Sequence, residues 1–447
     1  MAVYRREEPL SFSSSSSPGR MTGMDLTPLV CALMVATVGI TNLASAAQAT
    51  NPNLFLFQAL WVGIGSGFAI VIGLSDYRSL EHLAYPFYFV VLVLCVLVLV
   101  KGRAIMGAKR WIGFGPINLQ PSELMKLAII LTMAKYLAAW DMPGGYTLAE
   151  LVRPFNLTRP LGALAAILVK WKKIEAVAIS IPRTDREIPG NAILTILLIV
   201  VGTWLLIAVF KIVREGFPPR SVVAPVDIIL LPGVLILIQP DLGTASINVV
   251  VAVSMVLFCG MRPMSLFISA VSGVVGAVVA WFYVLKPYQK KRVLTFIDPD
   301  SDALGAGYHA NQSMIAIGSG GSDGKGWQQG TQTQLSFLPE NHTDFVFSVL
   351  GEEWGLVGGV ALLLLFFMLL WSGINVAAKA KDRFGTLLSV GVAAFLFWHV
   401  FINVGMVTGT LPVVGVTLPL MSYGGSSVIA IMGGIGVWLS VSNRRNR

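Results

Sequence analysis

The chain has 447 residues, of which 55% are hydrophobic and only 12% charged, with a formal net charge of +9 and a mean hydropathy of +0.75. That composition excludes a soluble globular domain and predicts an integral membrane protein, because backbone groups in hydrocarbon must be paired inside helices of about 20 residues. The positive balance does not point to nucleic acid, since most Lys and Arg lie in short segments between apolar runs, where they set topology and meet the anionic headgroups of membrane lipids.

Residues 1–24 are Ser-rich, carry Arg5, Arg6 and Arg20, and lack a cleavage-site pattern, which predicts a disordered cytoplasmic tail ahead of an uncleaved first helix. Apolar runs at 26–46, 54–74, 83–100 and 123–140 predict the first four membrane helices. The basic interval 141–225 follows. It holds an apolar run at 191–213 and a weaker one at 161–181, split by Lys170-Trp171-Lys172-Lys173. We read it as a cytoplasmic-side insertion in which 191–213 either pairs with 161–181 as a helical hairpin or lies re-entrant. Runs at 226–240, 243–260 and 264–285 supply helices five to seven. A polar loop, 286–344, separates them from helices eight to ten at 345–371, 385–407 and 419–442, which end in a basic tail. The expected fold is an all-α polytopic membrane protein of about ten transmembrane helices, with a large extracytoplasmic loop between helices seven and eight and an unusual insertion between helices four and five.

With the N-terminal tail inside, the loops 47–53 and 408–418 fall outside and contain no Lys or Arg, as the positive-inside rule requires. Two outside segments break the rule. The short loop 101–122 carries Lys101, Arg103, Lys109 and Arg110, and the long loop carries Lys286, Lys290, Lys291, Arg292 and Lys325. An anionic ligand on that face would account for them, since phosphate held by several cations gains charge-assisted hydrogen bonds. Snorkelling of the bases to lipid headgroups is the competing reading.

The densest chemistry is Pro339-Glu340-Asn341-His342-Thr343-Asp344-Phe345, at the outer end of the eighth helix. A carboxylate there is placed to accept a proton from a hydroxyl nucleophile while nearby bases hold an anionic leaving group. Alternatively, Thr343 or Asp344 caps the helix. Asp298, Asp300 and Asp302 resemble the start of a calcium loop but lack its Gly and terminal Glu, so solvated acids on a prolyl turn are expected. The stretch Gly318 to Gly326 resembles a phosphate loop but departs from the pattern at Ser319 and Gly326, and reads as a flexible turn.

Gln120-Pro121-Ser122-Glu123 is a helix-start pattern, and Lys126 follows Glu123 at i+3 on the same face. Charge inside a membrane is costly, so Glu123, Lys126, Lys135, Glu352 and Glu353 must face protein or water. Cys31, Cys95 and Cys259 sit in apolar runs and read as buried hydrophobes. His82, His309 and His399 form no zinc pattern.

Several segments together resemble the SEDS family (RodA, FtsW and SpoVE). They are Lys109-Arg110-Trp111-Ile112, Gln120 to Lys126, Gln239-Pro240-Asp241-Leu242-Gly243, DPDSDALGAGYH at 298–309, IAIGSGG at 315–321, FLPENHTDFVFSVLGEEWG at 337–355 and LPVVGVTLPLMSYGGSS at 411–427. Gly326-Trp327 with Gly330-Thr331-Gln332 is similar to the RodA branch. The resemblance implies a peptidoglycan glycosyltransferase that polymerises lipid II, an undecaprenyl-diphosphate-linked disaccharide pentapeptide, outside the bacterial cytoplasmic (inner) membrane, for cell-wall elongation and shape. It further implies a class B penicillin-binding protein transpeptidase as partner.

Carried over by position, Asp344 matches the essential acidic residue. Arg110, Trp111, Glu123, Lys126 and Asp241 match motif positions around the substrate cavity. Lys290, Lys291, Arg292, Glu340, His342 and Thr343 complete the expected substrate contacts. No dedicated cage is visible for a divalent cation, Mg or Mn, that would assist at the diphosphate. Ser336 stands where many relatives have Glu, and the 141–225 interval is longer than the family needs. A precursor flippase or transporter would use the same cavity without a general base, and a non-catalytic scaffold of the elongation machinery would not need Asp344.

Overall fold

The computed structural model describes residues 24–48, 51–105, 108–114, 117–142, 144–152, 178–180, 187–189, 225–285, 287–298, 306–335, 337–338 and 340–444. The expected N-terminal tail, the run 191–213 and most of 161–181 lie outside these described residues.

In chain order, α1 (Thr27–Ala46), α2 (Leu54–Leu74) and α3 (Tyr77–Lys101) precede an antiparallel sheet of β1 (Arg103–Ile105), β2 (Ala108–Phe114) and β3 (Ile117–Leu119). α4 (Pro121–Ala139) and the short α5 (Leu148–Val152) follow. Within the insertion, β4 (Ala178–Ser180) pairs with β5 (Glu187–Pro189). Next come α6 (Pro225–Ile238), α7 (Leu242–Cys259) and α8 (Pro263–Val279), the last continuing into a π-helical turn at Ala280–Val284. The former loop region contains α9 (Pro287–Ile297), α10 (Ala306–Gly320) and α11 (Thr331–Gln334), before α12 (Val346–Ala378), α13 (Arg383–Val407) and α14 (Gly425–Arg444).

Among the described residues, eight helices are long and apolar enough to cross a membrane: α1, α2, α3, α7, α8, α12, α13 and α14. The other two of the ten expected runs are α4, which carries Glu123, Lys126 and Lys135, and α6, which has 14 residues and an internal Pro232. Two departures from the expected elements stand out, both in segments read as loops. The basic loop 101–122 contains a small antiparallel β-meander, β2 pairing with both β1 and β3. The long polar interval contains three helices: Lys290, Lys291 and Arg292 lie on α9, whose faces direct them, whereas Lys325 lies in the turn after α10.

Bundle packing relies on small residues, as expected where lipid supplies no hydrophobic drive between helices. Among the described residues, α14 is the most enclosed span and α8 the most exposed. α14 lies so close to α2 that a Cβ on Gly436 would come 2.7 Å from the Ala69 carbonyl, and one on Gly73 2.7 Å from Leu439 Cβ.

α12 is interrupted at Gly355, whose φ of 61° suits only glycine. The break is satisfied by the turn after α10: Leu356 N–H donates to Gly321 O at 2.9 Å and Val357 N–H to Ser322 O at 3.1 Å. Beyond the break the helix still runs about 34 Å, enough for a bilayer of about 30 Å. The segment before it is therefore released to carry the polar chemistry at its N-terminus.

Candidate active site

Residues 340–345 form a turn that delivers the chain into α12, with Glu340 in the left-handed region at φ 52°. The Glu340 carbonyl accepts the Thr343 N–H at 3.1 Å and the Phe345 N–H at 3.3 Å. The N-cap of α12 is Phe345, without a side-chain cap bond. Neither Thr343 nor Asp344 caps the helix, and the Asp344 carboxylate is not consumed there.

The turn is fixed by α13 and by the segment that follows it. Tyr423 N–H donates to His342 O at 2.9 Å, Ser422 Oγ to Thr343 O at 2.5 Å, and Asn403 Nδ2 to Asp344 O at 2.9 Å. Gly415, at φ 73°, passes so close that a Cβ would stand 3.2 Å from Asp344 Oδ2 and 4.0 Å from Arg292 Nη1. Burial raises the Asp344 carboxyl to about 6, and the negative charges of Glu340 and Asp241 push the same way, while Arg292 and Arg110 oppose them. A carboxyl tuned close to neutral suits a base that must be ionised yet still accept a proton.

Arg110 and Asp241 come to this site from two distant segments. Arg110, on β2, donates from Nε to Gln239 O at 3.2 Å and from Nη2 to Pro240 O, and its Nη1 lies 3.7 Å from Asp241 Oδ2. Asp241 caps α7, accepting Thr244 N–H at 3.1 Å and Thr244 Oγ1 at 3.0 Å, and it also accepts Gln120 Nε2 at 3.3 Å. Its carboxylate thus fixes three elements to one another. Below, Lys126 Nζ is held between Glu123 Oε1 at 2.7 Å and His399 Nε2 at 3.0 Å, and His399 Nδ1 lies 3.0 Å from Thr417 O. Glu123 and Lys126 therefore face protein, as charges in a membrane bundle must.

Of the remaining expected contacts, Thr343 Oγ1 donates to Glu340 Oε2 at 3.2 Å, and His342 Nδ1 lies 3.3 Å from Asn341 Oδ1. Trp111 is half-buried and pairs across the meander with Arg103. The three consecutive bases on α9 do not act as a unit, contrary to the expectation from a loop. Arg292 donates from Nη1 to Val413 O at 3.5 Å, and of the three its charge is the one that acts on Asp344; Lys290 packs over the Trp281 ring at 6.0 Å, and Lys291 is exposed. Consecutive helical residues point about 100° apart, so one face takes one of them.

The Gly318–Gly326 stretch is not loose either. Lys325 Nζ meets buried Glu352 at 2.8 Å, and Gly326 N–H donates to Glu353 O at 3.0 Å. Asp298 ends α9, while Asp300, Asp302 and Ser336 lie outside the described residues. Among the described residues no group of three or more His, Cys, Asp or Glu is disposed to hold a metal.

Sequence reasoning passed over Gln120, His399 and Asn403 as site residues. The available signal for the last two was a His and an Asn four residues apart, on one face of an otherwise apolar helix.

The FtsW/RodA/SpoVE family, described as a cell cycle protein, matches residues 22–173 and 189–447. The chain is 33% identical over 386 residues to the peptidoglycan glycosyltransferase MrdB of Escherichia coli (strain K12), covering 86% of this chain and 84% of that protein. It is 32% identical over 435 residues to stage V sporulation protein E of Bacillus subtilis (strain 168), covering 95% and 98%. Among solved structures, a chain from work on the structural coordination of polymerization and crosslinking by a peptidoglycan synthase complex superposes with a TM-score of 0.68 at 30% identity, covering 95% of this chain and 99% of that one. The rod shape determining protein RodA of Thermus thermophilus gives a TM-score of 0.57 at 26% identity, covering 95% and 98%.

Proposed function

The chain belongs to the FtsW/RodA/SpoVE family, and from that premise we propose that it is a peptidoglycan glycosyltransferase that extends glycan strands from lipid II for cell-wall elongation. The observation that carries this reading is the Asp344 carboxyl, raised to about 6 and opposed by Arg292 and Arg110. Asp344 accepts the proton of the 4-hydroxyl of an acceptor N-acetylglucosamine. The freed oxygen attacks C1 of the donor N-acetylmuramic acid with inversion, the C1–O bond to the diphosphate breaks, and undecaprenyl diphosphate departs with the electron pair. Arg292 and Arg110 hold the charge that develops on it. Trp111, Glu340, His342 and Thr343 shape the sugar-facing rim, while Glu123 and Lys126 stiffen the floor. Lys290 and Lys291 serve the membrane surface around the entering headgroup.

This chemistry places residues 286–344 outside the cytoplasmic membrane, where a class B penicillin-binding protein crosslinks the new strand. Likeness to a structure described as a peptidoglycan synthase complex supports that pairing. A divalent cation, Mg or Mn, would arrive with the diphosphate of the substrate, since the described residues do not fit a protein-borne cage. In reconstituted membranes given lipid II, Asp344→Asn should lose polymerisation while keeping its fold. A variant that retained full activity would sink the assignment. Transfer of lipid II across sealed vesicles with no polymer formed would favour a transporter instead.

A further inference from the structure

We propose that Asn403 is the positioning residue of this site: its side-chain amide ties the backbone of Asp344 to the backbone of the wall against which the Asp344 carboxylate rests. The proposal rests on the reading of Asp344 as the base. Asn403 lies on α13, a full membrane-spanning helix, and is completely buried. Its Nδ2 donates to two carbonyls, Asp344 O at 2.9 Å and Val416 O at 2.6 Å. Val416 follows Gly415, the residue whose backbone passes beside Asp344 Oδ2 and Arg292 Nη1. A single NH2 group therefore fixes both the residue that carries the carboxylate and the surface that limits where the carboxylate can go.

The chemistry demands an amide. Two hydrogens on one nitrogen are needed, and both are used; a hydroxyl offers one, and a carboxylate none. The orientation of the amide is set by the same pair of acceptors, because a flip would turn Oδ1 onto two carbonyl oxygens. Oδ1 is left buried without a partner among the described residues. That cost is tolerated where the nitrogen's two bonds are what the site requires.

The other two bonds to the catalytic turn, from Tyr423 N–H to His342 O and from Ser422 Oγ to Thr343 O, come from the loop before α14. Among the described residues, the Asn403 side chain is what ties the turn to α13, a neighbouring membrane helix. Asp344 precedes the N-cap of α12 and takes no direction from helical hydrogen bonding of its own. Its position is imposed by these neighbours, and a displacement of about 1 Å in a reacting group is enough to cost on the order of a hundredfold in rate.

The test is glycan polymerisation by full-length protein in reconstituted membranes, comparing wild type, Asn403→Leu, Asn403→Gln and Asp344→Asn. Asn403→Leu keeps the side-chain size and removes both donors. We expect kcat to fall roughly tenfold to a hundredfold, KM for the lipid-linked substrate to stay within about twofold, and the acid limb of the kcat profile to move to lower pH as Asp344 relaxes towards water. Asn403→Gln restores an NH2 group and should recover part of the rate and part of the limb position. Wild-type kcat and limb in folded Asn403→Leu would overturn the proposal, and so would a rate loss with the limb unmoved, which marks a merely structural residue. If Asn403→Leu does not fold, Asn403→Ser, which keeps one donor, is read by the same two criteria. Asp344→Asn separates the two levels: an inactive Asp344→Asn beside an unaffected Asn403→Leu removes the positioning role alone, whereas an active Asp344→Asn removes the base reading beneath it.

Discussion

Arg110 and Asp241 face each other across 3.7 Å, one from the β-meander and the other from the cap of α7. Both act on Asp344, with opposite sign. Replacing Asp241 by Asn keeps a good N-cap but removes a negative charge, so the acid limb of activity should move below about 6. Asp241→Asn should cost about 1 kcal/mol or more by losing the ion pair with Arg110, and Asp241→Ala should cost about 1 kcal/mol further by losing the cap as well. Arg110→Gln should move the limb upward and raise KM for the diphosphate-linked substrate about tenfold or more. Paired pH profiles and thermal melts distinguish these outcomes; a limb that moves the same way in both variants would contradict the geometry.

The pH dependence of the wild-type enzyme has a definite sign. Asp344 must be ionised to accept a proton, and burial holds its carboxyl at about 6, so kcat should fall about tenfold per unit below that pH and level off above it. Stability runs the other way. The folded state keeps a proton that the unfolded chain, at an ordinary 3.8, has released. Stability therefore declines as pH rises from 3.8 to about 6, and the full cost is present above that. Asp344→Asn should consequently be more stable than wild type at neutral pH, by on the order of 1–3 kcal/mol, and inactive. Melts of both proteins at pH 5 and pH 8 check the sign.

The buried set Glu123, Lys126 and His399 predicts strong non-additivity. Lys126→Met strands the Glu123 carboxylate, of which Oε2 has no partner, and should destabilise the bundle by about 3–5 kcal/mol. Glu123→Gln with Lys126→Met removes both charges and should cost less than Lys126→Met alone. A double-mutant cycle in detergent measures the difference; additive losses would show that the pair is not coupled.

The amino-acid order made some of this architecture legible and hid the rest for identifiable reasons. Asp344 stood out because an acidic, His-containing turn directly abuts an apolar run, a juxtaposition that a membrane makes expensive. The Glu123–Lys126 pair was legible because i+3 spacing on a helix is a distance. The approach of Arg110 to Asp241 was not, since the two are brought together by the meander and the cap of α7. Lys290, Lys291 and Arg292 are equivalent in a loop, but α9 gives each its own direction. Asn403 was hidden because its partners are backbone carbonyls, which no residue pattern records.

Glu352 supports the loop between α10 and α12, and its removal should loosen that loop without touching the reacting groups. Its carboxylate is fully buried and accepts Lys325 Nζ at 2.8 Å, Gln332 N–H at 2.8 Å, Thr333 N–H at 3.2 Å and Thr333 Oγ1 at 3.0 Å. Gly330 approaches it so closely that a Cβ would stand 2.7 Å from Oε2, leaving no space for water to take over. Glu352→Ala leaves several buried donors unpaired, including a lysine, and should cost about 3–5 kcal/mol. Lys325→Ala should cost clearly less, because Lys325 keeps 25% side-chain exposure and its loss leaves the backbone donors on Glu352 in place. Limited proteolysis between Gly321 and Leu335 should accelerate strongly in Glu352→Ala and weakly in Lys325→Ala. Equal protection in both would show that the loop is held by the α10 and α12 backbone contacts and not by this carboxylate.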